Sequence, residues 1–276
     1  MTQLIRIGHS PDADDAFMFY ALTHGKVTVP GLRFEHVLED IESLNRRAGE
    51  SRLEVTAVSC ATYPAIADRY RLMDPGASMG KGYGPIVVAR EPVAPEALGD
   101  RVIAIPGFGT TAYLLLRLAL GDPPVIAVAF DQIPRVVRDG QADAGLLIHE
   151  GQITFETLGL AKVLDLGEVW GQRTGLPLPL GVNVTRRDLG EAVAAQLSEA
   201  LRASIRYAHA HPEEAVGYAL RYGRGIDAAT CTRFVHMYVN EYTVGLGAEG
   251  RLALETLYRS AVEGGLLEAM PPIDPL

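Results

Sequence analysis

The chain has 276 residues, 48% of them hydrophobic and 21% charged, enough apolar material for a large core and too little charge for a long disordered tract. Its 25 Lys and Arg against 34 Asp and Glu leave a net charge of −9, which argues against a nucleic-acid or anionic-membrane surface and favours a small ligand. Cys60 and Cys231 stand far apart with no CxxC or Cys/His cluster, so neither a disulfide framework nor a zinc site is expected.

The opening MTQLIRIGHS lacks a basic n-region and a long apolar stretch, and no apolar run approaches the roughly 20 residues of a membrane span. A cytoplasmic location is expected. Strands are expected at 4–8, 33–38, 53–58, 85–90, 101–106, 125–130, 144–149 and 179–185, with helices at 14–24, 41–49, 62–70, 110–120 and 133–140. This alternation points to an α/β protein with mainly parallel sheets flanked by helices. After Thr185 the pattern turns helical only, with an amphipathic stretch ending near Ala210 and a second helix opened by Pro212 at its first position.

One unit occurs twice. LIRIGHS followed by PDADDAFMFYAL matches RVIAIPG followed by FGTTAYLLLRLAL, each a short strand, a polar turn and a long apolar helix. EDIESLNRRAGESRLEVTAVS likewise matches FDQIPRVVRDGQADAGLLIH, aligning Asp40 with Asp131, Gly49 with Gly140 and Ser59 with His149. Each copy brings the amide-rich start of a helix beside the carboxyl end of a strand, where small anions are held. Two lobes with a ligand cleft between them are implied. The extended runs GPIVVAREPVAPEALGD and PLPLGVNVTRRDLG read as crossings, so 1–90 with 182–276 would form a first, larger lobe and 91–181 an inserted second one. Such crossings could act as a hinge.

Several residues in this frame could carry chemistry. Ser10 fits an N-cap and Pro11 the first helical position, with Asp12, Asp14 and Asp15 crowding the first turn; three acids exceed what a cap needs, so one is expected to accept hydrogen bonds from substrate hydroxyls. Thr110 and Thr111 offer hydroxyls and backbone N–H groups to a carboxylate, with glycines ahead of them for close approach. GFGTTA also fits the dinucleotide pattern G-x-G-x-x-A, with Asp131 downstream, but the inserted lobe is short for a doubled nucleotide fold. The GKG around Lys81 fails the phosphate-loop spacing. His149 ends the apolar run AGLLIH at a carboxyl sheet edge and suits a general base; His9, Cys60 and Glu150 are candidate neighbours. No His/Asp/Glu spacing implies a metal.

With these residues in hand, the chain resembles the 1,4-dihydroxy-6-naphthoate synthases of the futalosine route to menaquinone. The likeness runs nearly end to end and is carried by SPDADDAFMFYAL, VLEDIESLN, TAVSCATY, GKGYGPIVVAR, GTTAYLLL, GLLIHE, RTGLPLPLG, AHPEEA and HMYVNEYT. It implies a fold like the type II periplasmic binding proteins, a lyase acting on cyclic dehypoxanthinyl futalosine with release of a three-carbon fragment, and no metal or organic cofactor. The family's proton-accepting histidine matches His149. Its substrate-contacting segments match Ala57, Val58 and Ser59 and the turn at Thr110, Thr111 and Ala112, and its first-helix acid matches Asp15, beside Ser10.

The family usually has asparagine where this chain has Asp14, and Asp14 is expected to point away from an anionic substrate. The partner implied is a small anionic aromatic carboxylate, without nucleic acid or membrane; a homodimer is compatible with the sequence. Two alternatives stand beside this reading: chorismate dehydratase, a sister enzyme of the same pathway and fold, and a non-catalytic binder of small anions.

Overall fold

A computed structural model describes residues 2–276. The strands are β1 (Gln3–His9), β2 (Leu32–Leu38), β3 (Val55–Ser59), β4 (Tyr70–Leu72), β5 (Ser78–Gly80), β6 (Ile86–Ala89), β7 (Ile103–Ile105), β8 (Val125–Ala127), β9 (Ala144–Leu147), β10 (Ala161–Asp165) and β11 (Leu178–Arg186). The α-helices are α1 (Ala13–Thr23), α2 (Ile41–Gly49), α3 (Thr111–Leu120), α4 (Ile133–Arg138), α5 (Gly151–Thr154), α6 (Leu166–Thr174), α7 (Glu191–Ala210), α8 (Pro212–Ala219), α9 (Ala228–Tyr238), α10 (Glu241–Val244) and α11 (Gly247–Glu263).

The chain divides into two compact units. The first comprises 1–79, 179–254 and 271–276, and the second 80–178 and 255–270. The sequence reading set the limits at 90/91 and 181/182 and kept the whole C-terminal stretch in the first lobe, whereas 80–90 and 255–270 are grouped here with the second unit.

The first unit is built on a sheet of order β2-β1-β3-β11-β4, with β5 also paired to β11. The second has the order β10-β6-β9-β7-β8. The duplication seen in the sequence is therefore a duplication of topology. In one sheet β1 lies parallel to both β2 and β3; in the other β7 lies parallel to both β8 and β9. In each, the next strand inward runs the other way: β11 antiparallel to β3, and β6 antiparallel to β9. The sheets are thus mixed, with parallel pairing confined to the repeated β-α-β segments, because β11 and β6 do not follow β3 and β9 through a right-handed crossover but arrive from elsewhere in the chain.

Beyond the acids of its first turn, helix α1 is apolar on every side. Its residues Ala13 to Leu22 are all buried, as expected for FMFYAL when α7, α8 and α9 all pack against it. Helix α2 packs on β3 through Leu44, Leu53 and Ala57, with Val37 and Ile41 alongside. Gly8 makes that approach achievable: a Cβ there would stand 2.5 Å from Leu53 Cδ1 and 2.8 Å from Leu44 Cδ2. In the second sheet a similarly close approach falls on the neighbouring strand: at Gly145 on β9 a Cβ would stand 2.5 Å from Ile133 Cγ2 on α4.

Three local expectations are corrected. The helix expected at 62–70 is a short 3-10 turn, Tyr63–Ile66, carrying Pro64 in its first positions, and the chain then enters β4, where Tyr70 donates its hydroxyl to Leu53 O at 2.7 Å. The strand expected at 125–130 stops at Ala127 and turns into a 3-10 helix at Phe130–Gln132. Strand β10 and helix α6 were not foreseen; Asp165 ends one and caps the other, accepting from Gly167 N and Glu168 N at 2.9 and 3.2 Å.

Candidate functional site

At the carboxyl end of β1 the chain turns sharply into α1. The expected cap is displaced by two residues. Asp12, not Ser10, is the N-cap, and its side chain accepts from Asp15 N at 3.2 Å; Pro11 therefore precedes the helix instead of opening it. Asp15 reaches back and accepts Ser10 N at 2.6 Å, so one of its oxygens serves the turn. Ser10 is relieved of capping, and its buried Oγ has no hydrogen-bond partner among the described residues. Asp14 is 7% exposed and does not face solvent.

Because β1 and β3 run parallel, with Gly8 opposite Thr56, this turn and the end of β3 share one sheet edge. Strand alternation puts Ala57 and Ser59 on the face covered by α2 and Val58 on the other, so Val58, fully buried, offers a ligand only backbone. Asn45 of α2 grips Ser59 at two points: its Oδ1 accepts Ser59 N at 2.9 Å, and its Nδ2 donates to Ser59 Oγ at 3.1 Å.

Behind the turn, His9 stacks on Phe19 with ring centroids 4.4 Å apart, and its Nε2 lies 3.1 Å from His36 Nδ1. Burial, and then the neighbouring His36, push the His9 pKa down to about 3. Burial also lowers that of His36, to about 4. Both rings are neutral at physiological pH, which suits one as donor and the other as acceptor. His36 of β2 is this partner.

The second unit repeats the edge. β7 and β9 are parallel, with Ala104 opposite Gly145, so the turn after β7 and the residues after β9 lie along one carboxyl edge. Thr110 is the N-cap of α3: Oγ1 accepts Tyr113 N at 3.2 Å and donates to Gly107 O at 2.8 Å. Its hydroxyl proton is directed into the turn. Thr111 and Ala112 occupy the first two helical positions, whose N–H groups no intrahelical carbonyl can reach. Phe108, 60% exposed, stands edge-on to Tyr113 at 5.5 Å.

His149 follows β9 with φ 54°, left-handed backbone that a non-glycine residue adopts at a cost of about 1–3 kcal/mol. Its ring meets Phe130 edge-on at 4.8 Å, and its carbonyl accepts Gln152 N at 3.1 Å. Glu150 beside it is 5% exposed. Cys60 and Cys231 are buried thiols, in keeping with packing roles.

Sequence reasoning missed Asn45, the His9–His36 pair and Phe130. The signal for Asn45 was present: Ile41, Leu44 and Ala48 mark the apolar stripe of α2, and an asparagine four residues after Ile41 falls on it, where a polar residue needs a specific partner.

The architecture is that of the periplasmic binding proteins. The alkanesulfonate-binding protein of Xanthomonas axonopodis superposes with a TM-score of 0.72 at 13% identity, over 97% of this chain and 95% of that one, a likeness of fold alone. A crystal structure of a protein from Archaeoglobus fulgidus is far nearer, with a TM-score of 0.92 and 49% identity over 96% of this chain and 98% of its own. The profile of the family described as "Menaquinone biosynthesis" matches residues 5–263, and the chain belongs to that family. Two relatives named 1,4-dihydroxy-6-naphtoate synthase match over nearly full length: one from Thermus thermophilus is 45% identical over 98% of both chains. The other, from Streptomyces coelicolor, is 38% identical over 97% of this chain and 96% of its own.

Proposed function

We propose that this protein is a carbon–carbon lyase that converts cyclic dehypoxanthinyl futalosine to 1,4-dihydroxy-6-naphthoate with release of a three-carbon fragment, dihydroxyacetone, in the cytoplasm and without a cofactor. The observation that carries the reading is the 45% identity over 98% of both chains with a relative named for this reaction, together with the same name on the 38% relative.

The chemistry asks for few groups. The N–H groups of Thr111 and Ala112 receive the aromatic carboxylate at the positive end of α3. Ser10, Asp15 and Ser59, along with the backbone of Ala57 and Val58, orient the sugar-derived oxygens. Thr110 acts by shaping the turn through its cap. His149 takes the proton that starts fragmentation, and aromatisation of the product supplies the drive. The strained backbone at His149 supports this role, since such strain concentrates where a side chain must be aimed.

The test is turnover of two substrates by the purified protein. Cyclic dehypoxanthinyl futalosine should give naphthoate absorbance and chorismate should give nothing. His149→Ala should lower kcat by about 10²–10⁴-fold while leaving the protein folded. Turnover of chorismate would make it the sister dehydratase, and full activity of His149→Ala would remove the histidine from the chemistry.

A further inference from the structure

From the Asn45–Ser59 pair we infer that Asn45 is a positioning residue, holding the Ser59 hydroxyl as a hydrogen-bond donor so that Ser59 binds an acceptor oxygen of the substrate. The inference rests on the proposal that Ser59 touches substrate.

The polarity follows from atoms that have no choice. A backbone N–H can only donate, so the side-chain atom 2.9 Å from Ser59 N is the Asn45 oxygen. The amide nitrogen is then the atom 3.1 Å from Ser59 Oγ. That nitrogen has no lone pair to offer, so Oγ is the acceptor and the hydroxyl proton points elsewhere. Glu42 reinforces the orientation, because its Oε2 lies 3.5 Å from the same nitrogen and would repel an oxygen there. Asn45 and Ser59 are 5% and 3% exposed, and no described residue accepts the Ser59 proton. A buried hydroxyl whose proton is aimed outward at the end of a strand is completed by a carboxylate or hydroxyl oxygen of a ligand, whereas a group that can only donate, such as an ammonium, is refused.

Asn45→Asp reverses the arrangement at almost constant shape. Both carboxylate oxygens accept, one from Ser59 N and one from Ser59 Oγ, so the serine proton is drawn inward. Steady-state kinetics on cyclic dehypoxanthinyl futalosine should show kcat/KM lower by about 10- to 100-fold, mostly through KM. Ser59→Ala should cost a similar factor, and the double variant should be no worse than either single one. The loss in Asn45→Asp should shrink as pH falls, because the introduced carboxyl group, once protonated, can donate to Oγ as the amide does; Glu42 is the titratable neighbour, and Glu42→Gln should keep this acid rescue.

Asn45→Ala is the second variant should the charged one fold poorly. It leaves the hydroxyl undirected, and its penalty should also vanish in the Ser59→Ala background. A penalty that persists in full without the serine, or that moves only the melting temperature, would overturn the inference. If Ser59→Ala leaves kcat and KM untouched, it is the contact between Ser59 and substrate that fails.

Discussion

The carboxylate of Asp15 accepts the N–H of Ser10 at 2.6 Å while its own N–H donates to Asp12 at 3.2 Å, so two acids three positions apart clasp the turn between β1 and α1 from both ends. Asp15→Ala should lower stability by about 1–3 kcal/mol, the loss expected on removing a charged acceptor from a buried donor. Asp15→Asn should lose less, because the amide oxygen can still accept. Urea unfolding of the three proteins gives the comparison, and equal stability would show that the turn does not need the carboxylate.

Thr110 is a structural cap in this geometry, so Thr110→Ser should be neutral and Thr110→Val should cost about 1 kcal/mol. In turnover, Thr110→Val should raise KM more than it lowers kcat, through a loosened helix start. A fall in kcat with KM unchanged would instead give the hydroxyl a part in the reaction.

The His9–His36 pair makes stability depend on pH. Both folded-state pKa values, about 3 and about 4, lie below the ordinary value near 6.5, so the unfolded chain binds more protons in the interval between. The stabilisation is complete above pH 6.5 and is lost as pH falls through 6 and 5 toward the folded values. His36→Gln keeps a side chain able to pair with His9 and should flatten this fall between pH 6.5 and 5. Urea midpoints at the two pH values test it, and an unchanged slope would mean that His36 titrates as it does in the unfolded chain.

Arg6 pairs with Glu54 through both side chains, Nε to Oε2 at 2.9 Å and Nη2 to Oε1 at 2.8 Å, and Arg6 N also donates to Oε2. Desolvation alone would raise the Glu54 pKa, but the side-chain and backbone hydrogen bonds from Arg6 outweigh it and the net shift is downward. The contribution is therefore present above the ordinary glutamate range and disappears as pH drops below it. Glu54→Gln should cost about 1–2 kcal/mol at pH 7, discounted because the Arg6 side chain is 42% exposed. The gap between the variant and the wild type should narrow as pH falls below the ordinary glutamate range; a gap that does not narrow would assign the loss to packing.

The repeated β-α-β unit was legible because it rests on local signals: a short apolar run, a turn and an apolar helix of period 3.6. The strand order β2-β1-β3 and its counterpart β8-β7-β9 come from the structure. What stayed hidden depends on partners distant in sequence. Nothing around 70–72 reads as a strand until β11 arrives beside it, and nothing at Ser10 separates a cap from a turn residue until Asp12 is seen to accept Asp15 N. The candidate residues Ser59 and His149 were legible as polar residues closing apolar strands. Asn45 and His36 were not, since each acquires its meaning from one contact across the fold, to Ser59 and His9.

Strand β11 lies between β3 and β4 in its sheet, although about a hundred residues of the second unit intervene in the chain. A polypeptide emerging from the ribosome therefore holds β1, β2 and β3 for many seconds with the inner flank of β3 bare, at synthesis rates of about 5–20 residues per second. Such an unpaired flank is a template for wrong partners. The interval before residue 186 appears is when this polypeptide most needs a chaperone, and a fragment ending before it would be expected to aggregate instead of folding.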